Sequence, residues 1–339
     1  MRDKKTISRR ILTLIAENSK DVAKRLAGEF GFSRQTANTH LKALLGNGLI
    51  IAEGNTRARI YSLATTNEQS KLYQLSGLEE DRVWLELTAP VVKDLPENVR
   101  DIWRYGITEM VNNAIDHSGS PFVFVHITRN ALYTDCWVMD EGEGIFLKIQ
   151  KELGLYDPRE AILELAKGKL TTDPKNHTGE GIFFTSRVFD QFSIFSGKLR
   201  FVHTNSQIDF LIEDPSDKQG THVFMRLFND SDRTVQKVFN EFAAPEDYTF
   251  SKTVVPVRLA QYEGEKLVSR SQAKRLYQRF ERFRYVVLDF EGVLEIGQAF
   301  ADELFRVFSA EHPNVELTSI NANKIVTQMI DRATSKRER

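Results

Sequence analysis

Glu109-Met-Val-Asn-Asn113-Ala-Ile-Asp116-His-Ser118 is the stretch on which the reading of this 339-residue chain turns. Pro96 opens a helix ahead of it, and Val99, Ile102, Trp103, Ile107, Met110, Val111 and Ala114 recur at helical spacing to give an apolar face. Glu109 and Asn113 are four residues apart, so they lie on one side of that helix. An Asn amide oxygen is a hard ligand for Mg2+, an ion that keeps its waters and binds phosphate oxygens. A carboxylate one turn earlier can orient or deprotonate a water. Alone, the pair could equally be an exposed polar helix face.

Three later motifs give the pair weight. Leu132 to Met139 reads as a buried strand running into Asp140-Glu-Gly142-Glu-Gly144, whose glycines let backbone come close to a ligand. Residues 146–178 read as a lid, a short helix from Pro158 to Lys167 followed by a polar run, and long connections of this kind more often carry function than not. Lys167, Lys169 and Lys175 read as solvated loop lysines ahead of phosphate ligands. Gly179-Glu-Gly181 starts another helix, where the unpaired amides of a first turn can meet phosphate. Gly220-Thr221 heads a last strand.

In this order the motifs resemble the ATP site of the GHKL superfamily, which takes in gyrase-type ATPases, Hsp90, MutL, histidine kinases and anti-sigma-factor kinases. The resemblance covers roughly residues 95–228. It implies an α/β-sandwich (Bergerat) domain binding ATP with Mg2+. Glu109 would then be the general base, and Asn113 the metal ligand. Asp140 would accept from the adenine amino group, Gly142 and Gly144 would pass close to the ring, Gly179 and Gly181 would lie near phosphate, and Thr221 would reach adenine partly through water. Asp116 matches the gyrase and MutL pattern. Histidine kinases usually carry Asn where Glu109 stands, and no His in this chain is followed by an acidic residue, as a phosphoacceptor His typically is.

Residues 1–61 hold 12 Lys/Arg against 5 Asp/Glu, a surplus of +7 in a chain whose net charge is −1. Ile7, Ile11, Leu14 and Ile15 mark one helix, and Val22 and Leu26 a second. Gly31 breaks the pattern, and Ser33 is a suitable N-cap. A third helix buries Ala37, Leu41, Leu44 and Leu45 and turns Arg34, Gln35, Asn38, Thr39 and Lys42 outward. Two helices, a Gly turn and a polar-faced third helix make a helix-turn-helix pattern. Gly48 to Glu53 and Arg57 to Leu63 read as two strands around a turn at 54–56. The segment is similar to bacterial winged-helix regulators, which implies double-stranded DNA as a partner. Arg34, Gln35 and Asn38 would face base edges, the wing residues Arg57 and Arg59 would neutralise phosphates, and Ser33, Thr39 and Lys42 are further candidate contacts.

From Ser251 strands and helices alternate, as in a small α/β domain. Pro256 assigns its strand to an edge. Leu288-Asp-Phe-Glu-Gly-Val-Leu-Glu-Ile-Gly-Gln-Ala-Phe-Ala-Asp-Glu-Leu304 resembles STAS-like domains, relatives of the anti-anti-sigma factors. Ile296-Gly-Gln-Ala-Phe300 stands where those factors carry a phosphorylated Ser. Asp302 and Glu303 read as solvated carboxylates.

The fold class expected is therefore multidomain: a mainly α winged helix at 1–65, a linker and helix at 66–95, a central α/β sandwich at 96–230, a linker at 231–250, and a small α/β STAS-like domain at 251–335. Cys136, the only cysteine, reads as a core residue and fits a reducing cytoplasm. No apolar run spans a bilayer. The function expected is a cytoplasmic, dimeric transcription regulator whose DNA affinity follows nucleotide binding and slow Mg-dependent hydrolysis. A protein kinase of the anti-sigma type, acting on a separate protein, is the alternative. The C-terminal domain is a candidate surface for a protein partner.

Overall fold

The computed structural model describes residues 4–18, 20–54, 59–170, 179–204, 207–243, 249–261 and 265–335. It is a mixed α/β, multidomain chain.

The first unit holds α1 (Lys4–Glu17), α2 (Val22–Phe30), α3 (Arg34–Gly46) and an antiparallel pair, β1 (Ile50–Glu53) with β2 (Ile60–Leu63). The apolar periodicity does the work expected of it. Ile7, Ile11, Leu14, Val22, Leu26, Ala37, Leu41 and Leu44 are buried together. Gly31 ends α2 at φ 69°, a left-handed conformation that glycine adopts without a Cβ clash. Ser33 caps α3 by accepting the Thr36 amide at 3.1 Å. This core is closed by Leu132 and, at its edge, by Ala131, Tyr133 and Phe228. Arg9 adds an ion pair to Asp230 and stacks over the Phe228 ring.

The central unit runs β3 (Thr65–Gln74), α4 (Glu80–Val83), a π-helical turn Trp84–Thr88, α5 (Ala89–Val92), α6 (Glu97–His117), β4 (Phe122–Asn130), β5 (Tyr133–Asp140), α7 (Ile145–Leu153), α8 (Arg159–Lys167), α9 (Gly181–Val188), β6 (Gln191–Thr204), β7 (Gln207–Phe228) and α10 (Val235–Phe242). Its five strands form an antiparallel sheet in the order β3-β4-β5-β7-β6. Alternate residues Val123, Val125, Ile127, Cys136, Val138, Phe192, Ile194, Val223, Met225 and Leu227 face one side and are buried there with the α6 residues Ile102, Trp103, Ile107 and Val111.

The last unit carries β8 (Lys252–Pro256), α11 (Arg270–Tyr277), β9 (Tyr285–Asp289), α12 (Gln298–Ala301), a π-helical turn Asp302–Phe308, α13 (Ser309–Glu311), β10 (Glu316–Ile320) and α14 (Lys324–Ser335). Its sheet is parallel, ordered β10-β9-β8, so the strand ending in Pro256 is an edge. The central and last units share one continuous core, in which Phe183 and Phe242 meet Phe250, and Phe250 meets Phe283.

Some expectations about the elements and their burial need correction. Residues 66–95 are not a linker. β3 pairs along the length of β4, and Tyr73, Val83, Leu87, Val91 and Val92 are core residues. The polar outer face of β3 hid a strand whose buried positions are few. Residues 231–250 are no plain linker either, because α10 buries Val238 and Phe242 against the core. Glu303 is buried, not solvated, and accepts from the Tyr277 hydroxyl at 3.1 Å.

Candidate functional site

α6 faces the sheet with its apolar stripe, and this turns Glu109 and Asn113 toward the gap between α6 and the end of β5. Strand β5 alternates buried and half-buried residues and delivers Asp140 as its last one. The chain then turns at Gly144, where φ is 92°, a region closed to most side chains. A Cβ there would also strike the Ser196 hydroxyl. On the far side Gly181 begins α9, and any side chain on it would collide with the Glu109 carboxylate. The N-terminal turn of α9 and the Glu109 carboxylate are thus in direct apposition.

These elements surround a cavity of about 150 Å³, lined by Glu109, Asn113, Asp140, Gly144, Gly179, Gly181 and Thr221. Met110, Val138, Ile145, Ile149, Ile182, Ile194 and Val223 supply an apolar wall. The structure thus brings together most of the residues singled out in sequence. Asp116 is one exception: it is exposed and does not line the cavity, although Asn113, Ala114 and His117 on the same turn do. Gly142 is the other residue that does not line it. It passes so close to the Ser118 carbonyl that only glycine fits.

Asp140 is buried at the cavity edge. Its Oδ1 accepts the Gly142 amide at 2.9 Å and the Thr221 amide at 3.2 Å. Burial pushes the carboxyl upward, and the two amide bonds, with the nearby His222, oppose that shift. The Thr221 hydroxyl accepts the Ile145 amide at 3.0 Å, tying β7 to the start of α7. Thr221 lies within β7, which begins earlier, at Gln207, than the expected strand.

The Asn113 amide nitrogen is buried and makes no hydrogen bond among the described residues. Amide nitrogen and oxygen are interchangeable by a flip, so this side chain can present its oxygen to the cavity. Among the described residues no cluster of three His, Cys, Asp or Glu could hold a metal. A divalent ion at Asn113 would depend on phosphate oxygens and water for its other ligands.

Sequence reasoning missed one charged residue of the cavity wall. Lys148, one turn into α7, lines the cavity and donates to the His117 carbonyl at 2.9 Å. Its place four residues after Gly144 was the available signal. Tyr105, one turn before Glu109, has its phenol pushed up by burial and by the Glu109 and Glu180 carboxylates. Lys167, expected in a solvated loop, is fully buried and paired with Glu164 at 2.6 Å. Lys169 donates to the Arg282 carbonyl at 3.0 Å. Lys175 lies outside the described residues.

In the first unit, Ser33, Arg34, Gln35, Asn38, Thr39 and Lys42 are all exposed along α3. Arg59 is exposed next to β2, and Arg57 lies outside the described residues.

Comparison with known families matches residues 272–327 to a STAS-like domain of unknown function (DUF4325). The end of the chain is therefore STAS-like. No curated protein matches the chain. Among the described residues no helix is long and apolar enough to cross a membrane.

Proposed function

We propose that the chain is an ATP-binding, DNA-binding transcription regulator of GHKL type, with a winged helix at its N-terminal end. The observation that carries this reading is the convergence of four sequence-distant motifs on one cavity, with the buried Asp140 carboxylate at its edge. A carboxylate fixed by two amides through one oxygen keeps its other oxygen for an exocyclic amine such as that of adenine. The apolar wall suits a purine face. The enclosed space is below the roughly 300–1,000 Å³ common for whole-ligand pockets, so it suits the base, with the phosphates lying toward Gly179 and Gly181.

Glu109 is the base for hydrolysis in this reading, and Asn113 is the protein ligand to a Mg2+ that arrives with the phosphates. The exposed α3 face, Arg34, Gln35 and Asn38 foremost, enters the major groove, and Arg59 approaches phosphate. A dimer reading paired half-sites fits such a module. Nucleotide acts on DNA binding only if it binds two conformations of the chain with different affinity.

The test is binding of labelled genomic fragments to the full chain without nucleotide, with ADP, and with a non-hydrolysable ATP analogue plus Mg2+. Sequence-specific binding that changes with nucleotide is the expected result. Specific binding indifferent to nucleotide would refute the regulated switch, and no binding in any state would refute the DNA role.

A further inference from the structure

From Ala161 to Lys167 every residue of α8 is buried. One face places Leu165 in the wall of the cavity, and Leu170, just beyond the helix, lines it too. Another face is held by the STAS-like end of the chain. Lys167 Nζ donates to Glu164 at 2.6 Å and to the Gln278 carbonyl at 2.9 Å. Arg279 donates to the other oxygen of Glu164 at 2.7 Å. The Thr253 hydroxyl caps the Lys167 carbonyl at 2.7 Å. Arg279 and Arg282 both donate to the Lys169 carbonyl, Arg282 at 3.1 Å.

The contact is specific in its backbone as well as its charges. Lys169 and Arg279 sit at φ 51° and 68°, a region that non-glycine residues keep only where their surroundings hold them. The Glu164 carboxylate lies between two cations away from water, and Lys167 is fully buried. Separating such groups one at a time leaves an uncompensated charge in the interior. The wall of the cavity and the segment 278–282 are thus joined by buried, charge-assisted hydrogen bonds.

We propose that Arg279 and Arg282 are positioning residues for the nucleotide cavity, so that the STAS-like domain sets nucleotide affinity through its grip on α8 and Lys169. This rests on the nucleotide reading above. By linkage the effect is reciprocal: nucleotide in the cavity tightens the grip, and whatever loosens the STAS-like domain weakens nucleotide binding.

The experiment uses the full chain and a fluorescent ATP analogue with Mg2+. Affinity is measured for the unaltered protein, Arg279→Met, Arg282→Ala, and Lys324→Ala on the exposed start of α14 as a control. Arg282 is exposed, so its replacement is the safer variant for folding. The two interface variants are expected to bind roughly 5- to 150-fold more weakly, the usual range for coupled sites, with Lys324→Ala unchanged. Amide exchange of residues 161–170, measured without nucleotide, is expected to accelerate in the same two variants while β4 stays protected. Equal or tighter affinity in both interface variants, or unchanged exchange at 161–170, overturns the proposal. If the unaltered protein fails to bind the analogue, the nucleotide reading falls, and the exchange measurement still decides whether the STAS-like domain holds α8.

Discussion

Burial of the Asp140 carboxyl works against the fold. Its folded pKa is raised above the ordinary 3.8 by burial, so the ionised form is disfavoured in the folded chain. The penalty is absent below the unfolded pKa and complete above the folded one. Asp140→Asn keeps an oxygen for the Gly142 and Thr221 amides, so thermal unfolding at neutral pH should show equal or greater stability, a gain that disappears at pH below 3.8. The same variant should bind the ATP analogue about 10- to 150-fold more weakly, the cost of one charge-assisted hydrogen bond. Glu109 makes the opposite separation. If it is the general base, Glu109→Gln should retain nucleotide in a binding titration while phosphate release falls roughly 10²- to 10⁴-fold. Unchanged turnover would remove Glu109 from the chemistry.

At the scale of elements, if the N-terminal unit binds DNA as proposed, α3 and the β1–β2 pair should divide the contacts. Arg34→Ala should cost about 1–3 kcal/mol on the preferred site and relax specificity at one base pair. Arg59→Ala should weaken all sequences alike and lower the salt slope by about 0.9. Fluorescence anisotropy on matched and scrambled duplexes at two salt concentrations reads both. The β6–β7 hairpin carries a different device. Burial alone would raise the Asp209 carboxyl, but Arg187 and His203, which donate to it, outweigh burial and hold it below the ordinary 3.8. A depressed folded pKa gives stability that is present above the unfolded value and lost as pH falls through the folded one. Asp209→Asn should therefore lower the melting temperature near neutrality and flatten its decline between about pH 5 and pH 2. An unaltered acid limb would show that Arg187 and His203 stabilise nothing through this carboxylate.

At the scale of the whole molecule, the central and STAS-like units share a core, whereas the N-terminal unit has its own, closed by a few residues of the β4–β5 and β7 ends. Calorimetry should show two transitions. ATP analogue with Mg2+ at 100 times its Kd should raise only the larger one, by about 2.7 kcal/mol at its midpoint. A single transition would mean that the N-terminal unit does not unfold independently. The sequence by itself determined the helical first unit, Cys136 as a core residue, the edge position of β8 and the placing of Glu109, Asn113, Asp140, Gly179 and Thr221 as candidate site residues. Each of these rests on local periodicity, on turn chemistry, or on motifs a few residues long. Only the tertiary structure decided that Thr65–Gln74 is a sheet strand, that Asp116 is exposed and does not line the cavity, and that Lys167, Glu164 and Arg279 form a buried cluster between two units. The reason is physical: a polar strand and a charged side chain look solvated in sequence, and what buries them is contributed by residues distant along the chain.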